Sequence, residues 1–320
     1  MEKILVIGAI GQIGSELTME LRKIYGGEHV IASDKRNEAS EKLLNSGPFE
    51  TLDILDKNGI VSLIKKYQAN IIVDLAAILS ATGEQNPMLA WNINMNGLIN
   101  VLEIAREHKI QQVLIPSSIA VFGPSTPLDC APQETVLKPT TMYGITKVAG
   151  ELVADYYVKK YGLDVRGLRY PGIISNETLP GGGTTDYAVA IYYDAIKHGK
   201  YTCFVKEDTR LPMMYMPDCL KATIDLMQAN ASKLKHHADF NVGAMSFSVT
   251  EMAENIKKYL PDFTIDYKPD FRQAIADSWP NAVDDSAARE EWGWEPSYDL
   301  DAMTQDMLNV IGEKHKKGLI

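Results

Sequence analysis

Ser118, Tyr143 and Lys147 have the side chains and the spacing to take a proton from an alcohol. Tyr143 and Lys147 stand four residues apart, so on a helix they share a face and the ammonium lies near the phenol. A neighbouring positive charge favours the phenolate and draws the tyrosine pKa down from about 10 toward working pH. The phenolate can then serve as a general base while the Ser118 hydroxyl bonds the same substrate oxygen. Each feature alone has an ordinary reading: a half-exposed helix face for Tyr143 and Lys147, a loop cap for Ser117 and Ser118.

Such a base oxidises an alcohol only when a hydride acceptor lies beside it. Gly8, Gly11 and Gly14 provide for one, since they follow an apolar run at residues 4–7 and open an amphipathic stretch at 13–25. Lacking side chains, they let the chain turn sharply, admit a pyrophosphate and pack helix on strand. The helix start at Gln12 and Ile13 turns unpaired N–H groups toward the phosphates. Asp34 ends the next strand about 20 positions after Gly14, where a carboxylate bonds ribose hydroxyls and repels a 2′-phosphate. NAD is therefore expected rather than NADP, although Lys35 and Arg36 soften that preference. Asp53 and Ile54, ending a third strand, are expected to flank the adenine. Leu75, Ala76 and Ala77 end a fourth strand with small residues that permit close approach. Asn94, on the helix that follows, is expected to reach the active-site side.

The elements that must position these residues alternate regularly. Strands are expected at 4–7, 29–33, 50–53, 70–75, 112–117 and 164–169, with helices between them, long ones near 87–108 and 142–161. That rhythm implies an α/β fold with a doubly wound parallel Rossmann sheet. It breaks at Tyr170-Pro171-Gly172. Residues 1–170 read as the dinucleotide-binding domain, with 213–243 returning to it through a helix at 217–228 and a strand at 240–242. Residues 171–212 and 244–320 read as a smaller C-terminal α/β substrate domain. Ser248 and Glu251 form a capping box for a helix reaching about residue 259. A last helix is expected at 300–314.

A length of 320 residues suits two domains. The net charge of -10 argues against a nucleic-acid partner. No apolar run approaches the roughly 20 residues of a membrane span. The apolar run at 4–7 leaves no room before it for a leader, so a cytoplasmic protein is expected. Cys130, Cys203 and Cys219 lie far apart without a CxxC or His-rich motif, so they read as buried reduced thiols and no metal site is expected.

In these motifs the chain resembles the extended short-chain dehydrogenase/reductase superfamily. Gly8-x-x-Gly11-x-x-Gly14, Asp34, Ser118 to Gly123, Tyr143-Gly144-x-x-Lys147 and Leu168-Arg169-Tyr170-Pro171-Gly172 stand in that family's order and cover essentially the whole chain. The resemblance implies that Ser118, Tyr143 and Lys147 are catalytic and that Lys147 also holds the nicotinamide ribose. It places Ser117 and Tyr170 beside the cofactor. Many relatives are nucleotide-sugar epimerases or dehydratases, which carry an Asn where this chain has Gly172 and an Arg that residues 211–218 lack, Arg210 being merely adjacent. The expected substrate is therefore small.

Longer segments resemble the short-chain L-threonine 3-dehydrogenases: residues 117–124, 180–187, 213–216 and 270–280. That likeness implies NAD-dependent oxidation of L-threonine at its 3-hydroxyl to 2-amino-3-oxobutyrate, with a nucleotide-sugar 4-epimerase as the alternative. A dinucleotide-sensing regulator would have no need of Tyr143 and Lys147. Gly183, Thr184 and Thr185, in a glycine-rich loop at 180–185, can hold a small carboxylate with backbone N–H groups and hydroxyls. Ser80 resembles a substrate-contacting serine, and Trp279 before Pro280 is expected to wall the pocket against a methyl group. The family commonly forms homodimers through the two long helices. Whether Leu98, Val101, Leu152 and Val153 line such an interface or the core is open at this level.

Overall fold

The computed structural model describes residues 2–179 and 181–320. Seven parallel strands form the central sheet: β1 (Ile4–Ile7), β2 (Val30–Asp34), β3 (Phe49–Thr51), β4 (Ile71–Asp74), β5 (Gln112–Ser118), β6 (Val165–Tyr170) and, late in the chain, Phe240–Asn241. The late strand pairs with β6 at the sheet edge, Phe240 opposite Leu168. The spatial order reverses at β1, which has β2 on one side and β4 on the other. That reversal opens a crevice at the strands' carboxyl ends.

Every residue of β1, β2, β4 and β6 is buried, as expected of strands covered on both faces. Alternate residues serve opposite layers. Leu5, Ile7, Ile31 and Ile72 pack with Val101 and Leu102 on one face. Ile4, Val6, Val30 and Val73 pack with Leu17 and Leu21 on the other.

After β4 and a short helix at Ser80–Gln85, a longer helical run begins at Pro87 and passes through a π-turn at Asn92–Asn96 into Gly97–Glu107. Leu98 and Val101 are core residues, whereas Leu152 is 66% exposed and Val153 is packed against the core. The helix after β5 spans Met142–Tyr161. It is capped by the Thr141 hydroxyl, which accepts from Gly144 N–H, and closed by Gly162 in the left-handed region.

Beyond β6 the chain builds smaller sheets. β7 (Gly172–Ile174) and Met245–Ser248 flank Arg210–Tyr215, parallel and antiparallel respectively. Lys200–Cys203 pairs in parallel with Thr264–Tyr267. Residues 213–215 thus sit in a smaller sheet, and the return to the central sheet begins with the Met216–Gln228 helix, which packs on the Gln12–Tyr25 helix. The Ser248–Glu251 capping box is present. Cys203 and Cys219 are buried, but Cys130 is exposed, because it sits on a surface loop rather than in either core. Among the described residues no helix is long and apolar enough to cross a membrane.

Candidate active site

A cleft of about 590 Å³ lies at the carboxyl ends of β1, β2, β4, β5 and β6. The glycine turn forms one wall. Gly8 has φ 87, and its N–H reaches Ser33 O at 2.8 Å. A Cβ on Gly14 would stand 2.1 Å from Gly8 O, and one on Gly8 would stand 2.8 Å from Ala76 N. These glycines let turn, helix and the chain after β4 close together. The Gln12–Tyr25 helix has Gly11 at its N-cap with no side-chain cap, and the buried Gln12 Nε2 has no partner among the described residues. Uncapped N–H groups, an orphaned amide and a glycine cradle together suit a pyrophosphate, and Ile13 lines the same wall.

Asp34 closes the far end. Its Oδ2 accepts from Ile10 N–H at 3.0 Å and Arg36 Nη2 at 3.1 Å, and its Oδ1 accepts from Arg36 N–H and Nε at 3.0 Å each. Burial pushes this carboxyl upward, but the bonds from Arg36 and Ile10 outweigh it and hold it below its ordinary range. Lys35 turns aside to Asp53, Nζ to Oδ2 2.8 Å, which holds Asp53 low. Asp53, Ile54, Leu75, Ala76, Ala77 and Tyr170 all line the cleft, the Tyr170 hydroxyl being bonded to Thr223.

Asn94 does not line the large cleft. Its amide holds the Ile78 backbone, accepting N–H at 2.8 Å and donating to O at 3.1 Å, and also donates to Thr146 Oγ1 at 3.1 Å. It fixes the loop after β4 from behind. Ser117 reaches the cleft, but its hydroxyl donates to Glu151, which grips Arg169 through two bonds of 2.9 Å.

On the floor, Tyr143 and Ser118 line the cleft together, and Ser118 Oγ accepts from Ala120 N–H at 3.2 Å. Lys147 Nζ lies 5.4 Å from the Tyr143 ring centroid and donates to Pro116 O at 2.7 Å. The expected depression of the tyrosine is outweighed by burial. Removal from water pushes Tyr143 up to about 12, the Ser118 hydroxyl opposing it only in part. The same desolvation draws Lys147 down to about 8. Desolvation outweighs charge proximity here because the ammonium faces the ring and spends a donor on Pro116.

In the same cleft Ser80 Oγ and Thr184 Oγ1 are 3.2 Å apart, with Gly183, Thr185 and Trp279 also in the lining. Pro180 lies outside the described residues. The glycine-loop N–H groups expected to face a carboxylate are already engaged: Gly182 and Gly183 donate to Asp186 Oδ2 at 2.9 and 2.7 Å. The Ser80 and Thr184 hydroxyls are therefore the groups shown to meet here. Gly172 belongs here too, since a Cβ would stand 2.3 Å from Met213 Sδ and 2.9 Å from Thr185 Cβ. Its bareness lets the loop approach.

The family model of NAD dependent epimerases/dehydratases matches residues 4–243. The chain belongs to this family. An uncharacterised epimerase/dehydratase from Staphylococcus saprophyticus is 49% identical over 317 residues, 99% of each chain. The structure of an L-threonine dehydrogenase from Clostridium difficile is similar with TM-score 0.96 and 54% identity over 98% of both chains. That of a GalE-like L-threonine dehydrogenase from Cupriavidus necator, in holo form, has TM-score 0.94 and 49% identity, covering 96% of this chain and 99% of that one.

In this epimerase/dehydratase-family cleft, several lining residues had no role in the sequence reading: Thr82, Pro116, Leu179 and Asp186 among them. Thr82 stands two residues after Ser80 in a short helix, a spacing that sets the two on different faces and so gave no signal. Asp186 was hidden beside the more conspicuous Thr184-Thr185 pair.

Proposed function

We propose that this chain oxidises L-threonine at its 3-hydroxyl, with NAD, to 2-amino-3-oxobutyrate. The observation that carries the reading is that Ser118, Tyr143 and Lys147 line one cleft with a pair of buried hydroxyls, Ser80 and Thr184, with the Lys147 ammonium 5.4 Å from the Tyr143 ring centroid. About 50% identity to two L-threonine dehydrogenases across nearly the full chain supports the substrate. A bulky nucleotide-sugar is disfavoured by Gly172, whose place is filled by the approach of Thr185.

Tyr143 takes the hydroxyl proton while Ser118 holds the same oxygen. Bound NAD would supply the hydride acceptor and a positive charge near the phenol. Lys147 adds its own charge and orients the cofactor ribose. Gly8, Gly11 to Gly14 and Gln12 receive the pyrophosphate. Asp34 receives the adenosine ribose and favours NAD over NADP. Ser80, Thr184, Thr185 and Trp279 hold the amino acid. Residues 1–170 with the late helix and edge strand carry the cofactor, and the smaller sheets carry the substrate loop.

A homodimer is part of the reading. Met88 (72% exposed), Trp91 and Leu152 leave apolar surface on the helices after β4 and β5. The three free thiols support a reducing, cytoplasmic compartment. The deciding experiment is an absorbance assay for reduced cofactor with L-threonine, run with NAD and NADP, against a UDP-sugar control. Reduced cofactor with threonine and NAD is expected. Sugar turnover without net reduction would give the epimerase alternative instead.

A further inference from the structure

Asp74, the last residue of β4, has no part in the proposed chemistry, yet it is only 5% exposed. It lines a second cavity of about 30 Å³, behind the cleft, together with Lys147, Thr146, Asn94, Ser117 and Glu151. A water needs roughly 10–15 Å³ and two or more polar partners, so this space suits one or two.

The charges around it do not cancel by direct contact. Glu151 is matched by Arg169 and the Ser117 hydroxyl. The Asn94 amide is used by Ile78 and Thr146, and the Thr146 hydroxyl donates to Tyr143 O at 2.8 Å. Asp74 accepts one bond among the described residues, from Ala76 N–H at 3.1 Å. Lys147 gives one of its three donors to Pro116 O. An ammonium and a carboxylate, each under-satisfied, thus border one water-sized space.

We propose that Asp74 is the counter-ion of Lys147, joined to it by water in this cavity, and that its charge keeps Lys147 cationic behind Tyr143. The inference rests on the dehydrogenase reading. Asp74 is then a positioning residue acting through Lys147. Other charged groups facing the cavity do not replace it: Glu151 is neutralised by Arg169, and Tyr143 is neutral when protonated. The titration directions agree. Burial pushes Asp74 up to about 7, with Lys147 opposing, and pulls Lys147 down to about 8, with Asp74 and Glu151 opposing.

The test uses the full chain with NAD and threonine. In Asp74→Asn, Lys147 should lose its proton sooner. The maximal rate should fall roughly tenfold or more, and the alkaline limb of the kcat profile should move about one pH unit or more toward acid. A limb left at its wild-type position overturns the proposal, since a merely structural defect lowers the rate without moving it. Without substrate, infrared difference spectra of the wild type should show a buried carboxyl band that grows as pH falls through about 7. The band should be missing in Asp74→Asn. A wild-type band already at full height at pH 8 overturns the proposal whether or not the variant folds, since Asp74 would then carry no charge to lend Lys147. A wild type that forms no reduced cofactor from threonine would instead defeat the dehydrogenase reading, and the infrared titration would still decide the counter-ion.

Discussion

The hydroxyls of Ser80 and Thr184 lie 3.2 Å apart, both buried, and tie the chain after β4 to the loop after β7. Segments more than a hundred residues apart therefore meet where the substrate is proposed to sit. Ser80→Ala removes one hydroxyl without disturbing the glycine turn. The KM for L-threonine should rise roughly five- to tenfold, the worth of about one hydrogen bond, with the Kd for NAD unchanged. Steady-state kinetics and a cofactor titration check this. An unchanged KM would detach Ser80 from substrate recognition.

Tyr143→Phe keeps the ring and its packing but removes the base. We expect kcat to fall by roughly 10²- to 10⁴-fold while NAD still binds. The wild-type profile carries a second signature. Tyr143 is raised to about 12, so its ionised fraction grows with pH through the neutral range. The rate should climb on its acid side accordingly. A stopped-assay pH series that is flat there would assign the proton to another group.

Arg36 spans both oxygens of Asp34, so the residue that repels a 2′-phosphate also restrains the one that would welcome it. Asp34→Ala frees that guanidinium, whose planar fork suits phosphate. The NAD-over-NADP preference in kcat/KM should fall roughly tenfold or more. If the preference survives, selection lies elsewhere on the wall, Asp53 with Lys35 being the next pair to vary.

Much of the fold was legible because parallel strands advertise themselves: the strands expected at 4–7, 70–75 and 164–169 are present as Ile4–Ile7, Ile71–Asp74 and Val165–Tyr170, each fully buried. The triad's helix was legible from its four-residue spacing and its boundaries. What escaped reading lies in three-dimensional balance. Five short strands beyond β6 were missed, since strands such as Lys200–Cys203 and Thr264–Tyr267 run for only four positions, and the second has no buried residue at all. The direction of the Tyr143 shift was misjudged, because spacing gives proximity to Lys147 but says nothing of the water both have lost. The engagement of Gly182 and Gly183 by Asp186 was likewise invisible, since a carboxylate three residues on does not announce which way it turns.

Gly14 and Gly312 make a matched test of what the glycine turn contributes. A Cβ at Gly14 would stand 2.1 Å from Gly8 O and 3.1 Å from Ala9 Cα, all backbone. The helix cannot retreat, because Leu17 and Leu21, one and two turns on, are fully buried against the sheet. Gly14→Ala must therefore push the Gly8 turn outward. We expect a loss of about 1–3 kcal/mol in stability from overpacking, and at least a tenfold weaker Kd for NAD because the cradle opens. Gly312 sits inside the last helix, Leu300–Lys316, where a Cβ meets only Ile196 Cδ1 at 3.8 Å, an ordinary contact. Gly312→Ala should stabilise by up to about 1 kcal/mol and leave NAD binding untouched. Thermal unfolding with and without NAD separates the two effects: the gap between those melting temperatures should shrink for Gly14→Ala and persist for Gly312→Ala. A persistent gap in both would mean that the turn tolerates displacement and that the cofactor's phosphates are held by other parts of the cleft.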